Sequence, residues 1–363
     1  MDNRYYDLSV QTVRVGTEQS PRHSEASILQ RKDGSLLMAW QHHQKDPSAH
    51  CGDMLPSHIA LAESYDSGKT WVNERIVATM KDACVNVYCP SFLRNADGSV
   101  SLYFMRYMQL EKGKPQLNNY YRITSRDEGE TWTEEETLWE NNYFVPINHS
   151  IKRLADGSVL MPVCGNLADL WSKDTNYKVM VYRSTDDFQT WTVSNTLTLP
   201  MWGCMEPCIA QRSDGSLNMV MRTQLGSVFY SESFDGGATW TKPQTTGLHA
   251  PESCPCIVSI PHTDAQLVIW NNSEYDHNYR SHYGKRTPLT MAISTDGLKT
   301  FTDFFDIETD PNRAFTNPSV TVTDDGLFVL NYWSAPYNEK GNFGLPLDLK
   351  IATFRIHDQG LVK

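Results

Sequence analysis

The chain of 363 residues carries 43 acidic against 32 basic side chains, a formal net charge of −11, with 40% hydrophobic and 11% aromatic residues. That balance argues against nucleic acid or an anionic membrane as the main partner, so an anionic ligand would need arginines gathered locally. No apolar run approaches the roughly twenty residues of a membrane-spanning helix, and the start MDNRYYDLSV lacks the basic and apolar regions of a secretory signal; the expectation is a cytoplasmic protein, or a secreted or periplasmic one whose signal has been removed.

The first predicted element, YYDLSVQTVRV, is a β-rich segment with no sequence neighbour to pair with. A hairpin follows in ILQRKDGSLLMAW, two apolar runs around an Asp-Gly tip, and then the octamer SYDSGKTW from Ser64 to Trp71. The alternation repeats. FLRNADGSVSLYF precedes SRDEGETW (Ser125 to Trp132), IKRLADGSVLMPV precedes STDDFQTW (Ser184 to Trp191), and IAQRSDGSLNMVM precedes SFDGGATW (Ser233 to Trp240). VSIPHTDAQLVIW then precedes STDGLKTF (Ser294 to Phe301). The sixth hairpin, VTVTDDGLFVLNYW, has no octamer after it, and the chain ends on the strand-like LDLKIATFRI.

Five octamers, roughly fifty to sixty residues apart, have the period of a four-stranded propeller blade rather than of a helical solenoid. Their Ser and Asp side chains suit a tight turn, and Gly68, Gly129 and Gly237 supply positive φ there. Turn chemistry accounts for Asp66, Asp127, Asp186, Asp235 and Asp296, which are read as structural. Each unit is strand A, Asp-Gly turn, strand B, long loop, strand C, octamer, strand D. The prediction is one all-β domain over residues 1–363, a six-bladed β-propeller whose last blade is closed by the N-terminal strand, leaving no long open edge.

This order puts Asp-Gly turns and octamers on one face, so function belongs on the other, where loops are free to vary. The segments leading into the A strands are PRHSEAS, VNVYCPS, PINHS, GCMEPC, APESCPC and AFTNPS. They bring Glu25, Glu206 and Glu252 to equivalent places in different blades, with His149 and Asn317 at two others. The B strands exit with Gln41, His42 and His43, then Arg106, Asn166, Arg222, Asn271 with Asn272, and Tyr332 with Trp333. Arg222 and Arg286 have a plainer reading as partners in ion pairs between blades, Arg106 has the non-acidic Tyr88 and Cys89 as companions, and His42, His43 and His149 read plainly as surface or satisfied loop histidines. Cys204, Cys208, Cys254 and Cys256 offer a zinc site only against the usual spacing, since neither pair is C-x₂-C; small residues near an axis explain them, and no metal or other cofactor is implied.

The octamers resemble the Asp boxes, or BNR repeats, of the sialidase superfamily, and the whole chain looks like a divergent six-bladed member. EPCIAQRSDGSLNMVMR, from Glu206 to Arg222, is similar to the family's fourth blade. The resemblance implies that Glu206 polarises a nucleophile, that Arg222 and Arg286 grip a substrate carboxylate, and that Asp53 in CGDMLPSHIA is the acid/base aspartate. Two departures stand beside it. Blade one has HSEAS, with Arg22 just before Glu25, and blade six has Thr316 and Asn317 where the family carries its tyrosine. Tyr332 or Tyr88 reaching in from another strand, or Glu25 or Glu252 activating water, are the alternatives for the displacement.

The expected function is an exo-acting glycoside hydrolase on a terminal, acidic, sialic-acid-like sugar. Its catalytic candidates are Asp53, Glu206, Glu25 and Glu252; its substrate-binding candidates are Arg22, Arg222, Arg286, Arg106, His42, His149, Asn317 and Tyr332. A glycan or glycoside is the expected partner, and the oligomeric state is left open. The rival readings are a polysaccharide lyase on uronate-containing glycans, with His149, His42 or Tyr332 as base, and a non-catalytic glycan-binding propeller.

Overall fold

In the computed structural model, which describes residues 4–49, 52–81, 84–109, 114, 117–147, 149–166, 176–279, 282–358 and 360–361, the apolar runs reverse at their Asp-Gly tips. At the first tip Arg31 N–H donates to Ser35 O at 2.8 Å. The Asp33 carboxylate accepts from Ser35 N–H at 2.9 Å, and Gly34 takes the positive φ of 87°. The hairpins widen into six sheets. Blade one is β2 (Arg22–Gln30), β3 (Leu36–His43), β4 (Ser57–Ser64) and β5 (Val72–Ala78). Blade two is β6 (Asn86–Arg94), β7 (Val100–Gln109), β8 (Leu117–Ser125) and β9 (Glu136–Asn142). In blade three the inner strand is broken, so β10 (Phe144–Val145) and β11 (Lys152–Arg153) both pair with β12 (Val159–Gly165), followed by β13 (Lys178–Ser184) and β14 (Thr192–Val193). Blade four is β15 (Cys204–Gln211), β16 (Leu217–Thr223), β17 (Ser227–Ser233) and β18 (Gln244–His249). Blade five is β19 (Cys256–Ser259), β20 (Gln266–Asn271), β21 (Leu289–Ser294) and β22 (Thr302–Glu308).

Blade six joins the two ends of the chain. Its order is β23 (Arg313–Val322), β24 (Phe328–Pro336), β25 (Asp348–Ile356) and, outermost, β1 (Tyr5–Arg14), with β1 antiparallel to β25 from Tyr5↔Ile356 to Arg14↔Leu349. The ring then closes between blades six and one, where the Thr321 hydroxyl donates to Ile28 O at 2.6 Å. Ala26, Met38 and Trp40 of blade one share a core with Val329, Leu349 and Ile351 of blade six. Each interface between blades is such a core, so the B strands are buried on both sides while outer strands such as β5 are largely exposed.

The octamers join C to D strands and share one hydrogen-bond pattern. In the second, Ser125 Oγ accepts Gly129 N–H at 2.7 Å, and the Asp127 carboxylate accepts the Ser125 hydroxyl at 2.7 Å and Thr131 N–H at 2.9 Å. Gly129 has φ 93°, and a Cβ there would stand 2.5 Å from Leu37 of the preceding blade. Phe188 and Leu298 hold the same place with φ of 74° and 69°, so glycine is favoured by the turn but not required.

The inner strands carry the feature that positions the site. In four of them the register with the B strand slips at one place: at Glu25 in β2, at Cys89-Pro90 in β6, at Glu206-Pro207 in β15 and at Asn317-Pro318 in β23. These are β-bulges, which re-aim a side chain and interrupt the ladder where proline cannot donate. Glu25, Cys89, Glu206 and Asn317 all have positive φ, 36°, 50°, 49° and 53°, and His149 in blade three joins them at 52°. Left-handed backbone at non-glycine residues costs on the order of 1 kcal/mol or more each.

Candidate active site

The bulged side chains meet across blades. Asn317 Nδ2 donates to Glu25 Oε1 at 2.9 Å, the Cys254 thiol donates to Glu206 Oε2, and Cys254 Sγ lies 3.2 Å from Asn317 Oδ1. Arginines hold the two ends of this chain of contacts. Arg22 Nη2 donates to both oxygens of Glu25 at 3.1 Å and to the Tyr88 hydroxyl at 2.9 Å, while its Nη1 reaches Asp53 Oδ1 at 2.6 Å. Arg222 donates to Glu206 at 2.9 Å and to Glu252 at 2.5 Å. Side chains from blades one, two, four, five and six thus surround one funnel.

Arg286 differs from the other arginines. It is buried, and its guanidinium donates to Glu252 O at 2.9 and 3.3 Å and to the Thr316 hydroxyl at 2.7 Å, all neutral acceptors. Among the described residues it is the one arginine with no carboxylate within 4.0 Å. Burial pushes the Arg286 guanidinium down, and Arg222 beside it pushes the same way. A buried cation without a counter-charge is costly, and an anion in the funnel relieves that cost.

The carboxylates divide by how much of each is already engaged. Glu25 accepts on Oε1 from Asn317, Trp333 and Arg22 and on Oε2 from Arg22, and its side chain is 1% exposed. Glu252 is used on both oxygens, by Arg222 and by Gln224 at 2.9 Å. Glu206 takes both of its bonds on Oε2 and keeps its side chain 20% exposed, while Asp53 is bonded on Oδ1 only and is 62% exposed. Asp53 and Glu206 therefore each offer the funnel a carboxylate oxygen that the fold leaves unengaged. Enclosure pushes both carboxyls up, but Arg22 at Asp53, with Arg222 and Arg286 beyond it, and Arg222 and Cys254 at Glu206, outweigh it and hold both below the usual carboxylate range. Burial pushes the Tyr88 phenol far up, so it stays protonated beside Arg22.

Of the residues expected here, Asp53, Glu25, Glu206, Glu252, Arg22, Arg222, Arg286 and Asn317 come together. Four do not. Arg106 makes a bidentate pair with Glu135, which leads into the outer strand of its own blade, at 2.8 and 3.0 Å and stacks 4.5 Å from the Tyr121 ring centre. Tyr332 donates to Glu308 at 2.7 Å inside a blade interface. His42 pairs with Ser20 at 3.0 Å and faces Glu74 at 3.6 Å on the outer strand of blade one. His149 turns away from the funnel, its Nδ1 2.9 Å from the Ser27 hydroxyl, and burial keeps its ring neutral. The four cysteines with a zinc alternative scatter: Cys204 bonds Leu197 O, Cys208 lies 3.9 Å from Cys256, and Cys254 serves Glu206.

The repeat pattern of the BNR repeat-like domain family matches residues 34–330. The chain belongs to the BNR repeat-like domain family. Its fold is that of solved sialidases. The NanB sialidase of Streptococcus pneumoniae superposes with a TM-score of 0.71 at 13% identity, covering 99% of this chain and 71% of that one. The intramolecular trans-sialidase of Ruminococcus gnavus superposes with 0.71 at 16%, covering 95% and 96%. A protein of unknown function from Dyadobacter fermentans superposes with 0.69 at 15%, covering 96% and 99%. No curated protein sequence matches significantly.

Several residues of this BNR-family funnel escaped sequence reasoning. Gln224 donates to Glu252, and the Tyr337 hydroxyl accepts Arg286 N–H at 2.6 Å, while Trp333, expected at the exit of its B strand, donates to Glu25 at 3.1 Å. Cys254 joins the network through Glu206 and Asn317. One signal was available: Cys89, Glu206, Cys254 and Asn317 each precede proline at the start of an inner strand, and that repeated pair marks where the ladder is interrupted.

Proposed function

We infer that the protein is an exo-acting glycoside hydrolase that removes a terminal acidic sugar. The observation that carries this is Arg286, a buried guanidinium with only neutral partners, facing a funnel that also holds two partly free carboxylates. The sugar carboxylate takes Arg286, with Arg222 beside it, in a charge-assisted pair. Asp53 then gives a proton to the leaving oxygen, and the unengaged oxygen of Glu206 takes a proton from water as the water attacks the anomeric carbon. The C–O bond to the leaving group breaks, and the two protons end on the released alcohol and on Glu206.

Water is the proposed nucleophile for two reasons. Thr316 and Asn317 fill the blade-six position where the sialidase fold carries tyrosine, and both are occupied by Arg286, Cys254 and Glu25. Tyr88, the phenol that accepts from Arg22, is held protonated. The reaction is a single displacement with inversion. Hydrolysis of a panel of reporter glycosides, sialosides and uronides included, followed by NMR of the first anomer released, tests it. Release of an acidic sugar with inverted configuration is expected. Products with ultraviolet absorption from a new double bond identify a lyase instead, and binding without release from any acidic glycoside makes the funnel a lectin site.

A further inference from the structure

At the far end of the axis from the funnel lies a cavity of about 400 Å³, lined from blades three to six. Its walls come from the ends of inner strands and are mostly apolar, among them Ile209, Val258, Val320 and Val322. No acidic residue lines it, in a chain with 43 acidic residues. Two cationic side chains do, Arg153 and Lys152. Arg153 is spoken for, since it bonds Asp187 at 2.6 Å and the carbonyls of Arg94 and Gly157. Lys152 has no hydrogen-bond or ion-pair partner among the described residues, although it is half-buried. It lines the cavity, with its charge within electrostatic reach of His149 and of the Cys208 and Cys256 thiols. Elsewhere the fold supplies a partner for an inward cation, as with Lys350 and Glu308.

We propose that this cavity is a second ligand site, for a small organic anion with an apolar body. The anionic end pairs with Lys152, the one charge in the wall left without a counter-charge, and the body fills the space between Ile209, Val258 and Val322. Its volume lies in the range of small-molecule sites, about 300–1,000 Å³. His149 does not compete for the anion's role, because burial keeps its imidazole neutral and its nitrogens face the Ser27 and Thr321 hydroxyls. The site is separate from the funnel and does not depend on its chemistry.

The test is calorimetric titration of the full chain with octanoate, with 1-octanol and inorganic phosphate as separate probes. Octanoate is expected to bind once per chain, while the alcohol, lacking the charge, and phosphate, lacking the body, bind at least about tenfold more weakly. Lys152→Gln should weaken octanoate by about tenfold or more, Lys152→Arg should keep it, and Arg286→Met should leave it unchanged. Octanoate that does not saturate, that binds Lys152→Gln as well as the native chain, or that is lost with Arg286→Met overturns the proposal.

Discussion

Replacing Glu206 by Gln separates the chemistry of the funnel from its architecture. Glu206 Oε2 accepts from Arg222 at 2.9 Å and from the Cys254 thiol, and the amide oxygen of Gln can keep both contacts at the same place. What is lost is the charge on one bond. A bond to a charged acceptor contributes about 1.5–3 kcal/mol and a neutral one about 0.5–1.5, so the variant should lose about 1 kcal/mol of stability. Arg222 keeps Glu252 at 2.5 Å, so no buried cation is orphaned. Turnover should suffer far more, because an amide cannot take a proton from water, and a positioned acid or base contributes about 10²–10⁴ in rate. The assay pairs a thermal melt with kcat on the glycoside found by the substrate panel. A melting temperature lowered by a few degrees, with kcat down at least about a hundredfold, is expected. Turnover within a factor of about three of native, on an intact fold, removes Glu206 from the mechanism.

Asp127→Ala should lower stability by about 1–2 kcal/mol and leave kcat unchanged, because its bonds to Ser125 and Thr131 fix a turn on the face away from the funnel; a selective loss of kcat shows the faces are misassigned. The acid form of Asp53 is favoured once a substrate carboxylate cancels the arginines that lower it, so the alkaline limb of kcat should lie at higher pH than that of kcat/KM; coincident or reversed limbs contradict the proton donor. Burial pushes the Glu63 carboxyl up, but bonds from Asn73, Tyr65 and Arg75 with Arg31 beside it bring it to about 2, so its contribution to stability is complete above the unfolded value near about 4.3 and disappears as pH falls to about 2. Denaturant melts at stepped pH should show that acid slope flattened in Glu63→Gln, and an unchanged slope refutes the assignment.

The blade count was legible because Ser, Asp and Gly in register leave few other folds, and the pairing of β1 with β25 followed from an unpaired strand at each end. The funnel was legible where inner strands supply it. Glu25, Glu206, Glu252 and Asn317 sit on or just before the strands that line the axis, so position alone brought them together. Arg106, Tyr332 and His42 failed for a geometric reason. They lie on B strands, a further ~4.8 Å from the axis than the inner strands, and other partners capture them: Glu135, Glu308 and Glu74. Arg222 also ends a B strand, but its acceptors are Glu206 and Glu252, so it is drawn inward. Nor did residue type reveal that Glu25 and Glu252 have both oxygens engaged while Asp53 and Glu206 do not, since that depends on Trp333, Asn317 and Gln224 arriving from distant segments.

The pairing of Tyr5 with Ile356 sets the order in which the molecule can be made. On a ribosome β1 emerges before the rest of the ring, yet its ladder among the described residues is with β25, the last strand of the ring to be made. The earlier blades can assemble hairpin by hairpin from local contacts, but ring closure waits for the last segment and must overcome the largest loop-closure entropy in the fold. Until then β1 and the unfinished sixth blade present open edges to neighbouring chains. Expression should therefore be more sensitive to changes in the alternating β1 sequence than the exposure of that strand in the finished protein suggests, with aggregation during synthesis rather than a lower melting temperature as the symptom.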